Sequence, residues 1–254
     1  LCISINAEPF DSTYIAKPSA TSLLKNANIY DGEGNEFFGY DLLIVDGKID
    51  AIGLNLLSKA NNTVEYDLEG MWVTPGIIDL HSHMGVYSAP GVKSSSDGNE
   101  STSPVTADVW AEHSVWTQDP QFSLALQGGV TTFHVLPGSA NLIGGRGTTF
   151  KNVQSNTIQG MKFPDAPHSL KMACGENPKR VYGSRRQAPS TRMGNIAGYR
   201  KAWIKASKYR QNMNTYESKS AEAKEIVSPP TRDLEMDTLA GVLNGEILVQ
   251  NHCY

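Results

Sequence analysis

The character of the chain changes at Pro75-Gly76, and this change constrains the fold more than any other feature. Residues 22–73 consist of short β-rich runs separated by turns. Asp46-Gly47, between "DLLIV" and "KIDAIG", supplies the positive φ angles of a tight hairpin turn, and Glu69-Gly70 marks a second bend. These residues therefore predict a small β unit, too short to form a sizeable core alone.

After Gly76, short apolar runs alternate with helical patterns. The predicted strands are "GIIDLHSH", "VTTFHVLPG", "SLKMACG" and "EILVQNHCY". One helix is predicted from Met193 to about Met213, with an apolar stripe formed by Ile196, Tyr199, Trp203, Ala206 and Met213. Another follows Pro229-Pro230 and ends at Gly245. This alternation predicts parallel pairing and an α/β fold. The glycine-rich "GSANLIGGRGTTFK" is predicted to be an irregular turn without a phosphate-loop pattern.

Composition narrows the class of partner. The 254 residues are 39% hydrophobic and 19% charged, with a net charge of -4 and no basic stripe. This charge distribution argues against nucleic acid as a partner. The sequence contains no run of about 18 apolar residues, so it predicts no membrane span. A small-molecule substrate remains the expected partner, with a homo-oligomer as the expected state of the full-length protein.

The N-terminal residues bear on the compartment, whereas the cysteines do not. Residues 1–21 form a predicted lead-in, and its apolar start ending at Ala7 resembles the tail of a secretory signal peptide. A periplasmic or secreted location is the expectation, and an ordinary N-terminal tail of a cytoplasmic protein is the alternative. Cys2, Cys174 and Cys253 show no CxxC spacing, so they predict neither a disulfide scaffold nor a structural zinc site.

His81 and His83 are the strongest candidates for chemistry. Alternation along a strand places both imidazoles on one face and Ser82 on the other, so the two histidines can bind one metal ion. They also lie at the carboxyl end of the strand, where α/β sheets build their sites. A pair of packed or surface histidines is the alternative. Asp79 shares their face, and an internal hydrogen bond is its expected role.

The segments "IVDGKIDAIG", "VTPGIIDLHSH" and "GGVTTFHVLPG", in this order, resemble the amidohydrolase superfamily of metal-dependent hydrolases. The resemblance covers about residues 22–254, and "GENPKR" at 175–180 is similar to the imidazolonepropionase-like branch. It implies a small β-sandwich subdomain, with its N-terminal part at 22–73, followed at 74–254 by the first part of a TIM-like (β/α)8 barrel.

The resemblance also implies a set of metal ligands. His81 and His83 would come from the first barrel strand and His252 from a later one, although a lone histidine is more often structural. Lys171, as a carbamate, and Glu176 compete for the middle position. Glu176 is favoured because it sits at the carboxyl end of the strand and needs no modification. The alternative for Lys171 is an ordinary solvent-seeking lysine.

The remaining polar candidates have other expected roles. Asn141 and Arg146 are candidates for substrate contact. His134 is expected to be a packed residue or one behind the ligands, and His113 and His168 match no ligand position.

The implied activity is hydrolysis of a non-peptide C-N bond, amide or cyclic amide, by a metal-activated water. One or two Zn²⁺ ions are expected, with Mn²⁺ or Fe²⁺ as alternatives. A second hypothesis for the function is a carbohydrate or N-acyl deacetylase on the same scaffold. A non-catalytic interaction protein of the same fold is a third.

The expected barrel is incomplete within this sequence. A (β/α)8 barrel takes about 250 residues, whereas roughly 180 follow Val73. The proton-shuttle aspartate that the resemblance implies has no counterpart and is expected beyond Tyr254. We therefore expect an N-terminal fragment of a longer enzyme, inactive and prone to aggregation when isolated.

Overall fold

The computed structural model describes residues 9–58 and 62–254, which form two compact units. The smaller unit is Ile15–Ile77, and the larger comprises Ile78–Tyr254 together with residues 9–14. The resemblance to a signal-peptide tail falls on residues 1–8, which lie outside the described residues.

The described strands of the smaller unit form one sheet. They are β1 (Ser22–Tyr30), β2 (Glu36–Val45), β3 (Lys48–Gly53), β4 (Val64–Asp67) and β5 (Trp72–Val73). The predicted hairpin is confirmed, since β2 and β3 pair antiparallel around Asp46 (φ 50°) and Gly47 (φ 73°). The second bend is also present, but β4 and β5 each pair parallel with β1 rather than with each other. Ala27, Ile29 and Leu42 form the core of this unit.

The larger unit alternates strands and helices, as predicted for an α/β fold. Its strands are β6 (Ile77–Ser82), β7 (Val130–Val135), β8 (Ile143–Lys151), β9 (Ser169–Cys174) and β10 (Leu248–Cys253). Its α-helices are α1 (Gln121–Gln127), α2 (Ile158–Met161), α3 (Glu176–Gly183), α4 (Arg192–Glu217), α5 (Ala221–Ile226) and α6 (Leu234–Asn244). Both predicted helices are confirmed as α4 and α6, and Gly245 ends α6 in the left-handed conformation (φ 81°). No helix in the described ranges is both long and apolar enough to cross a membrane.

The sheet of the larger unit is mixed, which corrects the expectation of purely parallel strands. Its order is β10-β9-β8-β7-β6; β9 and β10 pair parallel, whereas β8 runs antiparallel to both β7 and β9. The sheet curls, since the Gln250 side chain of β10 donates a hydrogen bond to the carbonyl of Leu80 on β6 (2.9 Å). The result is a half-barrel with helices.

Strand β8 occupies most of the segment predicted to be an irregular turn. Its glycines serve close packing: a Cβ on Gly145 would lie 2.3 Å from the Val109 carbonyl oxygen, and one on Gly147 would lie 2.4 Å from a Leu136 methyl. The turn prediction was wrong. These glycines are needed because neighbouring chain segments approach them closely, and not because the chain bends there.

Two hydrophobic clusters join the sheet to its helices. In one, Leu142 and Leu170 pack against Ala202 and Ala206 of α4 and Leu239 of α6. Tyr199 and Trp203 of the predicted stripe also pack there, whereas Ile196 is exposed. The second cluster comprises Val86, Ala111, Phe122, Phe133, Val135, Phe150 and Met161. Both clusters pack against the outer face of β7, β8 and β9, which is the face directed away from the polar interior of the curl.

The cysteines correct a further expectation. Cys174 and Cys253 form a disulfide with Cα atoms 4.6 Å apart, although their spacing predicted none. They stand opposite each other in the β9–β10 ladder, so the pairing follows from strand register and not from a local motif.

Candidate functional site

Three histidine rings meet at the end of β6 and β10. The ring centroids of His81 and His83 lie 5.2 Å apart, and that of His252 lies 5.6 Å from His81. Ser82, between the first two, is buried with only 4% of its surface exposed. The structure thus brings together the three histidines singled out in the sequence.

Lys171 of β9 completes this cluster. Its side chain is 1% exposed, and its Nζ lies 2.9 Å from His81 Nε2 and 3.3 Å from the Pro137 carbonyl oxygen. Burial lowers the pKa of Lys171 to about 8. An ordinary solvent-seeking lysine would keep its ammonium in water, so this placement favours a role inside the site.

His83, which directly follows β6, is held in a tautomer that can bind a metal. His83 Nδ1 lies 2.8 Å from the Leu136 carbonyl oxygen, and because a carbonyl only accepts, this nitrogen carries the proton and leaves the Nε2 lone pair free. Burial lowers the pKa of His83, and burial with the nearby Lys171 lowers the pKa of His81. Asp79 Oδ1 accepts a hydrogen bond from the His81 backbone N–H (3.0 Å), an exposed contact within the same strand, so its internal role stays a prediction.

Glu176 does not reach the cluster, which corrects the preference for it as a ligand. Gly175 has a φ of 76°, and the chain turns there into α3, with the Glu176 N–H donating to the Tyr254 carbonyl (3.0 Å). The Glu176 side chain is 64% exposed and lies 3.9 Å from Arg180. Because the helix starts at this residue, its carboxylate faces solvent while Lys171, earlier on the strand, faces the interior.

Asn141 and Arg146, the candidates for substrate contact, make contacts within the fold and do not belong to the histidine cluster. Asn141 is 1% exposed, and its amide donates to the Glu100 and Ser103 carbonyls and to Thr106 Oγ1. The Arg146 guanidinium stacks over Trp110 (4.5 Å), and its Nε donates to Thr238 Oγ1 (3.0 Å). Asn141 thus ties the loop at 100–106 to the segment before β8, and Arg146 ties Trp110 and α6 to β8 itself.

The other histidines lie apart from the ring cluster. His113 stacks on Trp110, with centroids 5.2 Å apart, and burial lowers the pKa of His168 to about 4. His134 is 8% exposed and lies between Thr149 and Ser169 inside the curl.

Sequence reasoning missed Ser169 and Gln250, which are polar and face the same interior. Their positions contained a signal, since each stands two residues before a predicted ligand, Lys171 or His252, and therefore shares its face.

Whether a metal ion fits this cluster depends on the ligand atoms that its side chains offer. Within the described residues, no group of three His, Cys, Asp or Glu side chains is arranged to hold a metal ion. The cluster offers the imidazoles of His81, His83 and His252 and the amine of Lys171. A lysine supplies oxygen donors only after it has become a carbamate. The residues present therefore fit a divalent metal if Lys171 is modified in this way.

Comparison with known proteins finds an amidohydrolase and a dihydroorotase among the similar proteins. The chain is 31% identical over 268 residues to amidohydrolase tasK of Hapsidospora irregularis, a match that spans 95% of this chain and 27% of the relative. It is 42% identical over 71 residues to a dihydroorotase of Ligilactobacillus salivarius (strain UCC118), covering 28% of this chain and 15% of the relative. No family model matches the chain.

Among solved structures, an amidohydrolase from Thermotoga maritima MSB8 superposes with a TM-score of 0.80 at 37% sequence identity. The match covers 91% of this chain and 57% of that one. The chain thus spans little more than half the length of this relative, and about a quarter of the length of amidohydrolase tasK.

Proposed function

We propose that this chain, which belongs to the amidohydrolase superfamily, carries the metal-binding residues of a hydrolase that cleaves a cyclic amide C-N bond. One observation carries the proposal: the buried Lys171 amine lies 2.9 Å from His81 Nε2, beside the rings of His83 and His252. The similarity of a stretch covering 28% of the chain to a dihydroorotase supports a cyclic amide as the substrate class.

Lys171 is proposed as the residue that completes the ligand set. Its amine would add to CO₂, forming a carbamate and releasing a proton, and the carbamate oxygens would join the imidazoles of His81, His83 and His252. The lowered pKa supports this step, because a pKa of about 8 leaves about a tenth of the amine neutral at pH 7.

The bound metal supplies Lewis acidity, lowering the pKa of a water and polarising the amide carbonyl. Imidazole and oxygen donors favour one or two Zn²⁺ ions, with Mn²⁺ or Fe²⁺ as alternatives. The chain's own contribution is orientation. The Leu136 carbonyl fixes the His83 tautomer, and Asp79 Oδ1 fixes the backbone at His81.

Two further proposals concern the whole protein. The curled sheet is proposed to be part of a (β/α)8 barrel, which the TM-score of 0.80 with the Thermotoga maritima amidohydrolase supports. A periplasmic or secreted location is proposed because the Cys174–Cys253 disulfide is of a kind that persists in oxidising compartments.

The test is metal content and hydrolysis by the full-length protein. Purified wild type is expected to hold about one or two equivalents of transition metal and to open dihydroorotate-like or hydantoin-like rings. The His81→Ala/His83→Ala variant should lose both properties. His113→Ala, which removes a histidine stacked on Trp110 away from the cluster, should keep both. Wild type without metal, or with metal but active only on linear N-acyl substrates, would contradict the proposal.

A further inference from the structure

A row of polar side chains crosses the interior of the curled sheet. It runs from Thr149 on β8 through His134 on β7 and Ser169 on β9 to Gln250 on β10, and it ends at the Leu80 carbonyl of β6. The successive donor–acceptor distances are 2.8, 2.6, 3.4 and 2.9 Å. All five strands of the larger unit's described sheet are therefore joined by one hydrogen-bonded row.

The protons of this row have one consistent order. Gln250 Nε2 must donate to the Leu80 carbonyl, so its Oε1 faces Ser169 and needs a donor. Ser169 gives its only proton to Gln250 and must accept from His134 Nε2–H. His134 Nδ1 then accepts from the Thr149 hydroxyl. Each group has the partner it requires, and every donor points towards β6.

Gly147 of β8 leaves the space that this row needs. A Cβ at this position would lie 2.8 Å from Ser169 Oγ and 2.9 Å from His134 Nε2. Any side chain would therefore press on the shortest hydrogen bond of the row. The glycine is therefore explained by close packing against this row and Leu136, and not by a turn.

The row adjoins the candidate metal ligands, and Gln250 stands opposite Lys171 in the β9–β10 ladder. Ser169 is two residues before Lys171, and Gln250 is two residues before His252, so each shares the inward face of its ligand. Leu80, whose carbonyl ends the row, immediately precedes His81. The row thus connects the three strands that carry the cluster.

We propose that Gln250 is a positioning residue for the metal ligands. The sheet order places β6 and β10 at opposite ends, and the Gln250–Leu80 hydrogen bond joins these two strands directly across the curl. By fixing the Leu80 carbonyl, Gln250 holds His81 against Lys171 and His252. The inference rests on the proposed function, because it concerns the same cluster.

The experiment uses the full-length protein with Co²⁺ as the probe. Its affinity is measured by competition with a chelator, and its visible spectrum reports the ligand geometry. Gln250→Leu removes the donor to Leu80 and is expected to weaken Co²⁺ binding by about 10- to 100-fold and to change the spectrum. Gln250→Glu keeps the shape of the side chain and loses the donor as a carboxylate, so it should behave likewise. Asn251→Leu, a change on the opposite face of β10, should bind Co²⁺ as wild type does.

The outcomes separate this inference from the proposed function. Wild type that binds no Co²⁺ overturns the proposed function and the inference with it. Wild type that binds Co²⁺, with folded Gln250 variants matching its affinity and spectrum, overturns the inference alone. So does an equal loss of affinity in Asn251→Leu. If Gln250→Leu does not fold, the isosteric Gln250→Glu variant decides.

Discussion

Lys171 and Glu176, five residues apart, show how placement determines what a side chain can do. Lys171 is buried beside His81, and Glu176 is exposed beside Arg180. We therefore predict that Lys171→Met weakens metal binding by more than about 100-fold, whereas Glu176→Gln leaves it unchanged. Replacing a buried amine by an apolar side chain of similar length should not lower the melting temperature. Metal titration and thermal unfolding of both variants check this, and metal loss in Glu176→Gln alone would restore the glutamate as ligand.

His134 gives a pH-dependent prediction. Burial lowers its pKa from 6.5 to about 4, so between these values the unfolded chain binds a proton that the folded chain does not. The stability linked to this group is complete above pH 6.5 and is lost as the pH falls towards 4. From pH 7 to pH 5 the loss from His134 should be about 2 kcal/mol. Urea unfolding at both pH values should show a correspondingly smaller loss in His134→Gln, and equal losses in variant and wild type would refute the assignment.

At the scale of elements, the ladder of β9 and β10 carries two ligand positions and one covalent bond. The disulfide closes a loop across 79 residues of sequence separation, and disulfides of this kind stabilise by about 2 to 4 kcal/mol. We predict that Cys174→Ser/Cys253→Ser lowers the free energy of unfolding by that amount. Chemical denaturation with and without a reductant measures it. The reductant should lower wild type to the variant's stability and leave the variant itself unchanged; an effect of similar size on the variant would assign the loss to another cause.

The elements also show which features can be inferred from sequence. The alternation of side chains along a strand is enough to place His81 and His83 on one face. Local sequence patterns locate the β2–β3 hairpin, α4, α6 and the strands of Lys171 and His252. Pairings between distant segments have no local signature. The antiparallel β8, the disulfide and the position of Lys171 beside His81 each depend on which strand lies next to which. The row of polar side chains that ends at Gln250 also has no local signature, because its members come from different strands.

At the scale of the whole molecule, the two terminal strands of the curled sheet expose apolar side chains. Ile78 and Leu80 of β6 are 59% and 67% exposed, and Val249 of β10 is 45% exposed. In the described part of the chain, β6 and β10 end the strand order, so each also presents unpaired backbone groups.

We therefore predict that a polypeptide of residues 1–254, expressed by itself, self-associates as its concentration rises, because both edges can pair with another copy. Sedimentation velocity over a range of concentrations measures this. Leu80→Lys/Val249→Lys should shift the polypeptide towards monomer, since charge on an edge strand opposes edge-to-edge pairing. Met193→Lys, at a residue of α4 that is 79% exposed, is the matched control and should leave association unchanged. A monomer at every concentration, or an equal effect of Met193→Lys, would show that these edges do not drive association.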